Sequence, residues 1–333
     1  LGGADANENA LKIARLYTGR NKVFSRYRSY HGSTMGAGNL TGEPRRFNCE
    51  TNGVSGYIKF FDPYIYREPI EFKSEVEATK YYLAKLREQI IYENPETVAA
   101  IECETITGSN GCIIPPDGYL QGIRDICDEF GIMMICDEVM MGWGRTGEYF
   151  AFQNWDVKPD LVSFAKGVTC GYAPLGGVIV SKKIAEYFDD HKLLCGLTYS
   201  GHPLSCAAGV ATLDVYKEEK LVENSKAMGK ILGEILEELK RKHPCVGDVR
   251  YKGLFSALEL VKDKATKEPL VEYNSDPDNT MGKIIGSLKK KGFSTYSHEN
   301  CIIVAPPLII KEDELRAAMD IMDEVLGEVD KMI

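Results

Sequence analysis

The segment Ile132-Met133-Met134-Ile135-Cys136-Asp137 is an apolar run that ends on a carboxylate. A second apolar run, Val98–Glu104, precedes it, and a third, Leu161–Phe164, follows it. Continuous apolar runs are typical of strands whose two faces are both buried in a parallel sheet. Because helical patterns separate these runs, the sequence predicts an α/β fold with a mainly parallel sheet.

The rest of the chain is predicted to contain further helices, a region of loops and, towards the C terminus, a different pattern of helices and strands. A helix is predicted over residues 5–17, closed by Gly19, and a capping box predicts a second helix from Ser74. Residues 31–69, rich in glycine and proline, are predicted to be dominated by loops. After a helix at residues 203–218, two amphipathic helices enclose strand candidates. The sequence therefore predicts a large domain over residues 1–215 and a smaller α+β C-terminal domain over residues 216–333.

Composition excludes several functional classes. The chain has 333 residues, with 40 Lys+Arg against 49 Asp+Glu, and it carries no basic cluster that could follow a phosphate backbone. No apolar run approaches the roughly 20 residues of a membrane helix. Ten cysteines are scattered without C-x-x-C or zinc-type spacing. We therefore expect a soluble cytoplasmic protein with reduced thiols, no structural metal, no nucleic-acid partner and no membrane association.

Asp137 is the first candidate functional residue, because it follows a buried strand directly. Open α/β sheets bind their ligands at the carboxyl ends of their strands. A buried carboxylate there needs a cationic or hydrogen-bonding partner. That partner could be a ligand or a structural arginine such as Arg145, and the residues alone leave both readings open. Glu138 is interpreted as a carboxylate that pairs with the scaffold.

Two further features could carry chemistry. Lys166 follows Leu161–Phe164 in an apolar and glycine-rich context, where a partly desolvated amine becomes a usable nucleophile; a lysine whose ammonium reaches water is the alternative. The loop Gly2-Gly3-Ala4-Asp5 precedes a helix and would direct backbone N–H groups towards an anion, or simply begin the helix. Together with Asp137, these features match a pyridoxal 5'-phosphate site, which needs a carboxylate for the ring nitrogen, a lysine and a phosphate anchor.

Five blocks of sequence carry a resemblance to a known family. They are Gly2 to Glu8 (GGADANE), Ser29 to Gly32 (SYHG), Cys136 to Gly147 (CDEVMMGWGRTG), Phe164 to Gly167 (FAKG) and Thr198 to Cys206 (TYSGHPLSC). In this order and over essentially the whole chain, they resemble the class III aminotransferases. The resemblance implies the fold type I of transferases that depend on pyridoxal phosphate, with part of the family's N-terminal region outside this chain.

The resemblance also implies roles for individual residues. Lys166 matches the Schiff-base lysine, and Asp137 matches the carboxylate that keeps the pyridine nitrogen protonated. Val139 and Tyr30 match the residues on either side of the cofactor ring. The remaining matches are His31 beside the ring, Glu104 lining the site, Gly3 and Ala4 at the phosphate, and Thr198, which in relatives reaches the phosphate of the neighbouring subunit. A homodimer with shared active sites is therefore implied.

The sequences of residues 178–181 and 198–206 resemble those of the ω-amino acid, taurine and β-alanine:pyruvate branch of the family. That likeness predicts a small amino donor and a keto acid acceptor such as pyruvate. Two other readings stay open at this point. The same scaffold with the same lysine and aspartate serves aminomutases and decarboxylases, and a chain of this kind could bind the cofactor without turnover.

Overall fold

The structure is a computed structural model, and it describes residues 1–50 and 53–333. The chain forms two compact units. The first comprises Leu1–Gly108, Pro115–Trp143 and Phe150–Glu218, and the second comprises Ser109–Ile114, Gly144–Tyr149 and Glu219–Ile333. Division into independently folding domains at residues 215 and 216 stays a prediction.

The first unit is built on a six-stranded sheet with the order β2-β1-β3-β4-β5-β6. Its strands are β1 (Lys22–Arg26), β2 (Tyr57–Phe60), β3 (Val98–Glu104), β4 (Met133–Asp137), β5 (Leu161–Phe164) and β6 (Gly177–Val180). The first five are parallel to their neighbours, and β6 is antiparallel to β5. The predicted α/β fold with a mainly parallel sheet is confirmed.

Seven helices belong to this unit within the described residues. They are α1 (Gly3–Thr18), α2 (Met35–Leu40), α3 (Phe47–Glu50), α4 (Glu75–Tyr92), α5 (Tyr119–Phe130), α6 (Lys182–Asp190) and α7 (Pro203–Glu218). Gly19 closes α1 with a φ of 69°, and the Ser74 hydroxyl accepts a hydrogen bond from the Glu77 N–H at the start of α4. Both predicted helix ends are confirmed. The prediction of a loop over residues 31–69 was wrong where α2, α3 and β2 form.

Both faces of the central strands are covered, which explains their apolar sequences. Every residue of β3 and β4 is buried. One face packs against α4 and α5 through a cluster that includes Leu86, Ile101 and Ile123. The other face packs against α1 through Leu11, Ala14 and neighbouring side chains. A polar residue on β3 or β4 is therefore removed from water, and this includes Glu104 and Asp137 at the strand ends.

The second unit is an antiparallel sheet with the order β10-β11-β8-β7, with β9 paired to β8. Its elements are α8 (Leu221–Lys242), β7 (Val246–Lys252), β8 (Phe255–Asp263), β9 (Glu268–Pro269), α9 (Thr280–Lys290), β10 (Ser297–His298), β11 (Cys301–Val304) and α10 (Glu312–Val329). Apolar faces of its helices and strands form one core around Leu236, Leu258 and Met322. This is the α+β arrangement that the sequence predicted for the C-terminal part.

All ten cysteines are free thiols, and six of them are buried. In the described parts of the chain, no helix combines the length and the apolar character that crossing a membrane requires.

Candidate active site

Three neighbouring strands bring polar residues to one edge of the parallel sheet. Glu104 of β3 pairs with Asp137 of β4, which in turn pairs with Ser163 of β5. Asp137 is the last residue of its strand, and Lys166 lies just beyond the end of β5. The candidate carboxylate and the candidate lysine thus belong to adjacent parallel strands, at the edge where such sheets bind ligands.

The carboxylate of Asp137 is buried and accepts three hydrogen bonds. Asn7 Nδ2 donates to Oδ2 at 2.8 Å, His31 Nδ1 lies 2.7 Å from the same oxygen, and the Val139 N–H donates to Oδ1 at 2.9 Å. These donors stabilise a negative charge in a place that water does not reach. Arg145 is engaged elsewhere, donating to the carbonyls of Leu254 and Pro306. The open question about the partner of Asp137 is therefore answered by an amide and an imidazole.

Asn7 is a residue that the sequence reasoning missed. It is fully buried on α1, and its Nδ2 donates both to Asp137 and to the carbonyl of His31 at 2.8 Å. One amide thus fixes the helix, the loop of His31 and the strand end relative to each other. The sequence signal that could have identified Asn7 is an asparagine on the buried face of the predicted helix, because a buried amide without hydrogen-bond partners would destabilise the fold.

Glu102 is a second residue that the sequence reasoning missed, and it lies next to the cluster formed by Asn7, His31 and Asp137. It is fully buried on β3, and its Oε1 lies 4.0 Å from His31 Nδ1. Neither carboxylate oxygen has a hydrogen-bond partner among residues 1–50 and 53–333. Burial, followed by repulsion from Asp137 and Glu8, raises the pKa of Glu102 well above its usual value. The sequence showed a glutamate inside an apolar strand, and that anomaly was the available signal.

His31, Glu102 and Asp137 have the composition of a metal site, with ligand atoms within 4.8 Å of one another. However, Oδ2 of Asp137 already accepts from both Asn7 and His31. A metal ion on this oxygen would have to displace two donors, so we interpret the group as a hydrogen-bonded cluster.

Glu104 fixes two loops at the sheet edge. Its Oε1 accepts from the Tyr30 N–H at 3.1 Å, and its Oε2 accepts from the Gly108 N–H at 2.7 Å. Burial raises the pKa of Glu104, while His31 opposes that shift. Glu104 therefore lies beside Tyr30 and His31, and the hydrogen bond that it accepts from the Tyr30 N–H holds the loop that carries both residues.

Glu138 anchors the segment that follows β4, as the scaffold interpretation expected. Its carboxylate accepts from the Thr105 hydroxyl at 2.5 Å and from the N–H groups of Ala151 and Phe152 at 2.8 and 3.0 Å. Burial raises the pKa of Glu138 to about 7, although these hydrogen bonds oppose the shift.

The start of α1 approaches the same sheet edge. The Ala6 N–H donates to the Gly2 carbonyl, which is the first hydrogen bond of the helix. Gly2 has no side chain that could cap the helix, so the N–H groups that precede Ala6 in the first turn have no partner inside the helix. A Cβ on Gly3 would lie 2.7 Å from Cγ1 of Val139, which shows how closely this turn packs against the residue after Glu138. Ala4 packs in turn against Gly32.

Lys166 begins a short 3₁₀ turn, Lys166–Val168, with a φ of 48°. This left-handed conformation is uncommon and costly for a residue with a Cβ. The side chain is exposed, so of the two readings from the sequence the structure shows a lysine whose ammonium reaches water. Within the part of the chain that the structure describes, its ammonium has no ion-pair or hydrogen-bond partner.

The two remaining candidates lie further out. The ring of Tyr30 is half-buried, and the Arg45 guanidinium stacks 3.6 Å from its centre. Thr198 lies in an exposed turn and takes no part in the hydrogen bonds that join the cluster. That turn and the first turn of α1, including Asp5 and Ala6, line a cavity of about 260 Å³.

Comparison with known proteins adds the family. Residues 2–326 match the model of the class-III aminotransferases. A curated relative, the taurine–pyruvate aminotransferase of Bilophila wadsworthia, is 34% identical over 99% of this chain and 73% of its own length. Among solved structures, the taurine:2-oxoglutarate aminotransferase from Bifidobacterium kashiwanohense, in complex with PLP and glutamate, has a TM-score of 0.96 and 52% identity, covering 99% of this chain and 74% of that one.

A second solved structure, an (S)-enantioselective ω-transaminase from Thermomicrobium roseum, has a TM-score of 0.89 and 40% identity over 98% of this chain and 72% of that one. The matches thus extend over both compact units. The chain belongs to the class-III aminotransferases, enzymes that transfer amino groups.

Proposed function

We propose that this protein uses pyridoxal 5'-phosphate to move an amino group from an ω-amino acid, such as taurine or β-alanine, to a keto acid such as pyruvate. One observation carries the proposal. Asp137, held by Asn7 and His31, lies at the carboxyl end of β4, and the unpartnered Lys166 follows the adjacent strand. A charged carboxylate and a free primary amine at one sheet edge are the two groups that this chemistry needs most.

The residues present fit the cofactor. A cationic ring nitrogen requires an anion, and Oδ1 of Asp137 accepts only the Val139 N–H among the described residues. A phosphate requires N–H donors, and the first turn of α1 offers them without a competing side-chain cap. A planar ring requires flat or apolar cover, for which we propose Val139 on one face and Tyr30 on the other. We assign Gly3 and Ala4 to the phosphate.

Pyridoxal phosphate, when bound, supplies an electron sink for the carbon that carries the amino group. Asp137 would hold the proton on the ring nitrogen, which would keep that sink effective. Nζ of Lys166 would hold the cofactor and would move a proton to and from the carbon that carries the amino group. Asn7 and His31 orient Asp137, and Glu104 orients the loop of His31.

Relatives support the proposed donor class. The Bilophila wadsworthia relative acts on taurine and pyruvate, and a Pseudomonas aeruginosa relative, 34% identical, acts on putrescine and pyruvate. The solved structure with 52% identity favours a second acceptor, 2-oxoglutarate. Pyruvate and 2-oxoglutarate are therefore the two acceptors to compare, with alanine and glutamate as the respective products.

We also propose a homodimer in which Thr198 contributes to the phosphate site of the partner subunit. The segment around Thr198 and the following helix α7 expose large apolar side chains: Leu204 is 71% exposed and Val210 is 62% exposed. Large apolar side chains exposed along one segment support a protein interface there. The double variant L204K/V210K is expected to sediment as a monomer, and an unchanged dimer would contradict this assignment of the interface.

The ten free cysteines support a reducing compartment, and we propose the cytoplasm. Fractionation of cells that express the native protein tests this location, and a secreted or periplasmic pool would contradict it.

The function is tested by incubating the protein with pyridoxal phosphate and each donor, and then with each acceptor. Loss of the visible band of the lysine-bound cofactor reports the first half-reaction, and alanine or glutamate reports the second. Lys166→Ala is expected to abolish both signals. The matched control is Lys182→Ala, which removes an exposed lysine of α6 that, among the described residues, pairs only with Glu186. Amino transfer that persists in Lys166→Ala would contradict the proposal.

A further inference from the structure

The buried glutamate Glu102 has no part in the function proposed above, yet it lies in contact range of the residues that carry it. We propose that Glu102 is a positioning residue of this site: it carries the proton of the Glu102–His31–Asp137 cluster and so leaves the negative charge on Asp137. This inference rests on the proposed function for its consequences, while the location of the proton can be measured without the cofactor.

The geometry places one imidazole between two carboxyl groups. His31 Nδ1 lies 2.7 Å from Asp137 Oδ2 and 4.0 Å from Glu102 Oε1. The side chains of His31 and Glu102 are fully buried, and that of Asp137 is 3% exposed. A buried Nδ1–H can satisfy one of these carboxyl groups well, and the distances show that it satisfies Asp137.

The two carboxyl groups have opposite surroundings. Asp137 accepts from Asn7, His31 and Val139, which favours its charged form. Glu102 accepts no hydrogen bond from any described residue. An unpaired buried carboxylate is far more costly than a neutral carboxylic acid, and two neighbouring carboxylates repel each other. When environments divide a pair in this way, one member becomes the acid and the other the anion.

The other charges around Glu102 do not reverse this assignment. The titratable groups that face it are Glu8 and Arg15 of α1, Tyr57 and Lys59 of β2, Asp137 of β4, His31, and Cys103 on its own strand. Lys59 Nζ donates to the Ser25 hydroxyl and to the carbonyls of Asn39 and Leu40, and Arg15 donates to the carbonyl of Asn21. Neither cation forms an ion pair with Glu102.

Protonated Glu102 leaves the cluster with one negative charge, which matches one cationic ring nitrogen. Ionised Glu102 would compete with Asp137 for the Nδ1–H of His31. Asp137 would then lose a donor that orients it, and the cofactor would bind more weakly. Glu102 acts through His31 and Asp137 in this scheme and need not touch the substrate.

The first test locates the proton by infrared spectroscopy of the cofactor-free protein at about pH 7, where an unperturbed glutamate is fully ionised. The wild type is expected to show a carboxylic-acid carbonyl band that Glu102→Gln lacks and Glu104→Gln retains. If the band is unchanged in Glu102→Gln, or is lost only in Glu104→Gln, the proposal is overturned.

A second variant decides the question if Glu102→Gln does not fold. Asp137→Asn removes the like charge next to Glu102, so the pH at which the Glu102 band disappears should fall by about one unit. If Glu102 did not hold the proton beside an ionised Asp137, that midpoint would stay where it is, and an unchanged midpoint therefore counts against the proposal.

The consequence for binding is measured by titrating the wild type and Glu102→Gln with pyridoxal phosphate below and above the pH at which the Glu102 infrared band disappears. The ratio of the two dissociation constants, wild type over variant, is expected to rise about tenfold, the equivalent of one pKa unit. A constant ratio contradicts the proposal. If neither protein binds the cofactor at any pH, the proposed function fails, and the infrared result alone decides the state of Glu102.

Discussion

His31 and His243 are both buried histidines next to two carboxyl groups, one in each compact unit, but their surroundings differ. In the antiparallel unit, His243 Nε2 lies 2.6 Å from Asp323 and its Nδ1 lies 2.6 Å from Asp330. The other oxygens are also occupied: Lys242 donates to Asp323, and the Cys245 N–H donates to Asp330. In the parallel-sheet unit, His31 serves Asp137 alone, and Glu102 has no donor among the described residues.

We interpret the difference as one between a structural cluster and the cluster of the proposed active site. Polar groups inside a protein are almost always satisfied, and a complete network fixes one conformation. The cluster around His243 meets that rule and joins the end of α8 to α10. The cluster around His31 does not meet that rule, because Glu102 has no hydrogen-bond donor among the described residues. It lies next to Lys166 and the uncapped start of α1, and unsatisfied groups of this kind are concentrated at functional sites.

Removing Asp137 should give the largest effect. Asp137→Asn keeps the shape of the side chain but removes its charge, so amino transfer is expected to fall at least a hundredfold. Its free energy of unfolding should change by less than about 1 kcal/mol, because the amide oxygen can still accept a hydrogen bond in the same place. Initial rates and urea unfolding measure the two quantities. An Asp137→Asn variant that lost stability but kept its rate would show that the cluster around His31 is structural and not functional.

His243→Gln should have the opposite signature. Two charge-assisted hydrogen bonds are lost, and because Asp323 and Asp330 are partly exposed, we expect about 2 kcal/mol less stability. Activity per folded molecule should stay within about twofold. Arg316→Gln, which breaks only an exposed pair with Glu312, is the matched control and should cost less than about 0.5 kcal/mol. Equal stability of the two variants would show that the His243 cluster is not structural.

Acid should remove the same contribution from the wild type. Although desolvation opposes it, hydrogen bonds from Lys242 and His243 hold the pKa of Asp323 below its usual value. Hydrogen bonds from Cys245 and His243 do the same for Asp330. A carboxylate with a lowered pKa stabilises the fold above its unfolded pKa of about 3.9, and this contribution is lost as pH falls through the folded pKa. The difference in urea midpoint between the wild type and His243→Gln should therefore shrink below about pH 4, and a constant difference would contradict the assignment.

Asn7→Ala should give the smallest effect. It removes one donor each from Asp137 and from the His31 carbonyl, so the dissociation constant for pyridoxal phosphate should rise about fivefold, the equivalent of about 1 kcal/mol. Asn9→Ala is the control, because Asn9 lies on the same helix and, within residues 1–50 and 53–333, its side chain donates only to the Asp5 carbonyl. Equal affinities for the two variants would remove Asn7 from the site.

Much of the fold could be predicted because it depends on local patterns. The runs that became β3 and β5 and the glycine that closes α1 are set by burial and backbone preference. The same logic put Asp137 and Lys166 at strand ends. The partners of Asp137 could not be predicted, because Asn7 and His31 are distant in sequence and meet only through the packing of α1 on the sheet.

Glu102 and His243 show a second reason. A glutamate within VAAIECE was visible as an anomaly, but its lack of partners depends on side chains from α1, β2 and β4. The pairing of His243 with Asp323 and Asp330 spans 80 and 87 residues, and no short motif encodes it. Strand β2 was missed because its four residues lie within a stretch rich in turn residues.

The most direct test of the central claim is to reduce the protein with borohydride in the presence of pyridoxal phosphate and to map the modified peptide by mass spectrometry. The account predicts one modified lysine, Lys166, and a large fall in labelling in Asp137→Asn but not in His243→Gln. Labelling at another lysine, or equal labelling in all three proteins, would contradict the assignment of the site to the edge of β4 and β5.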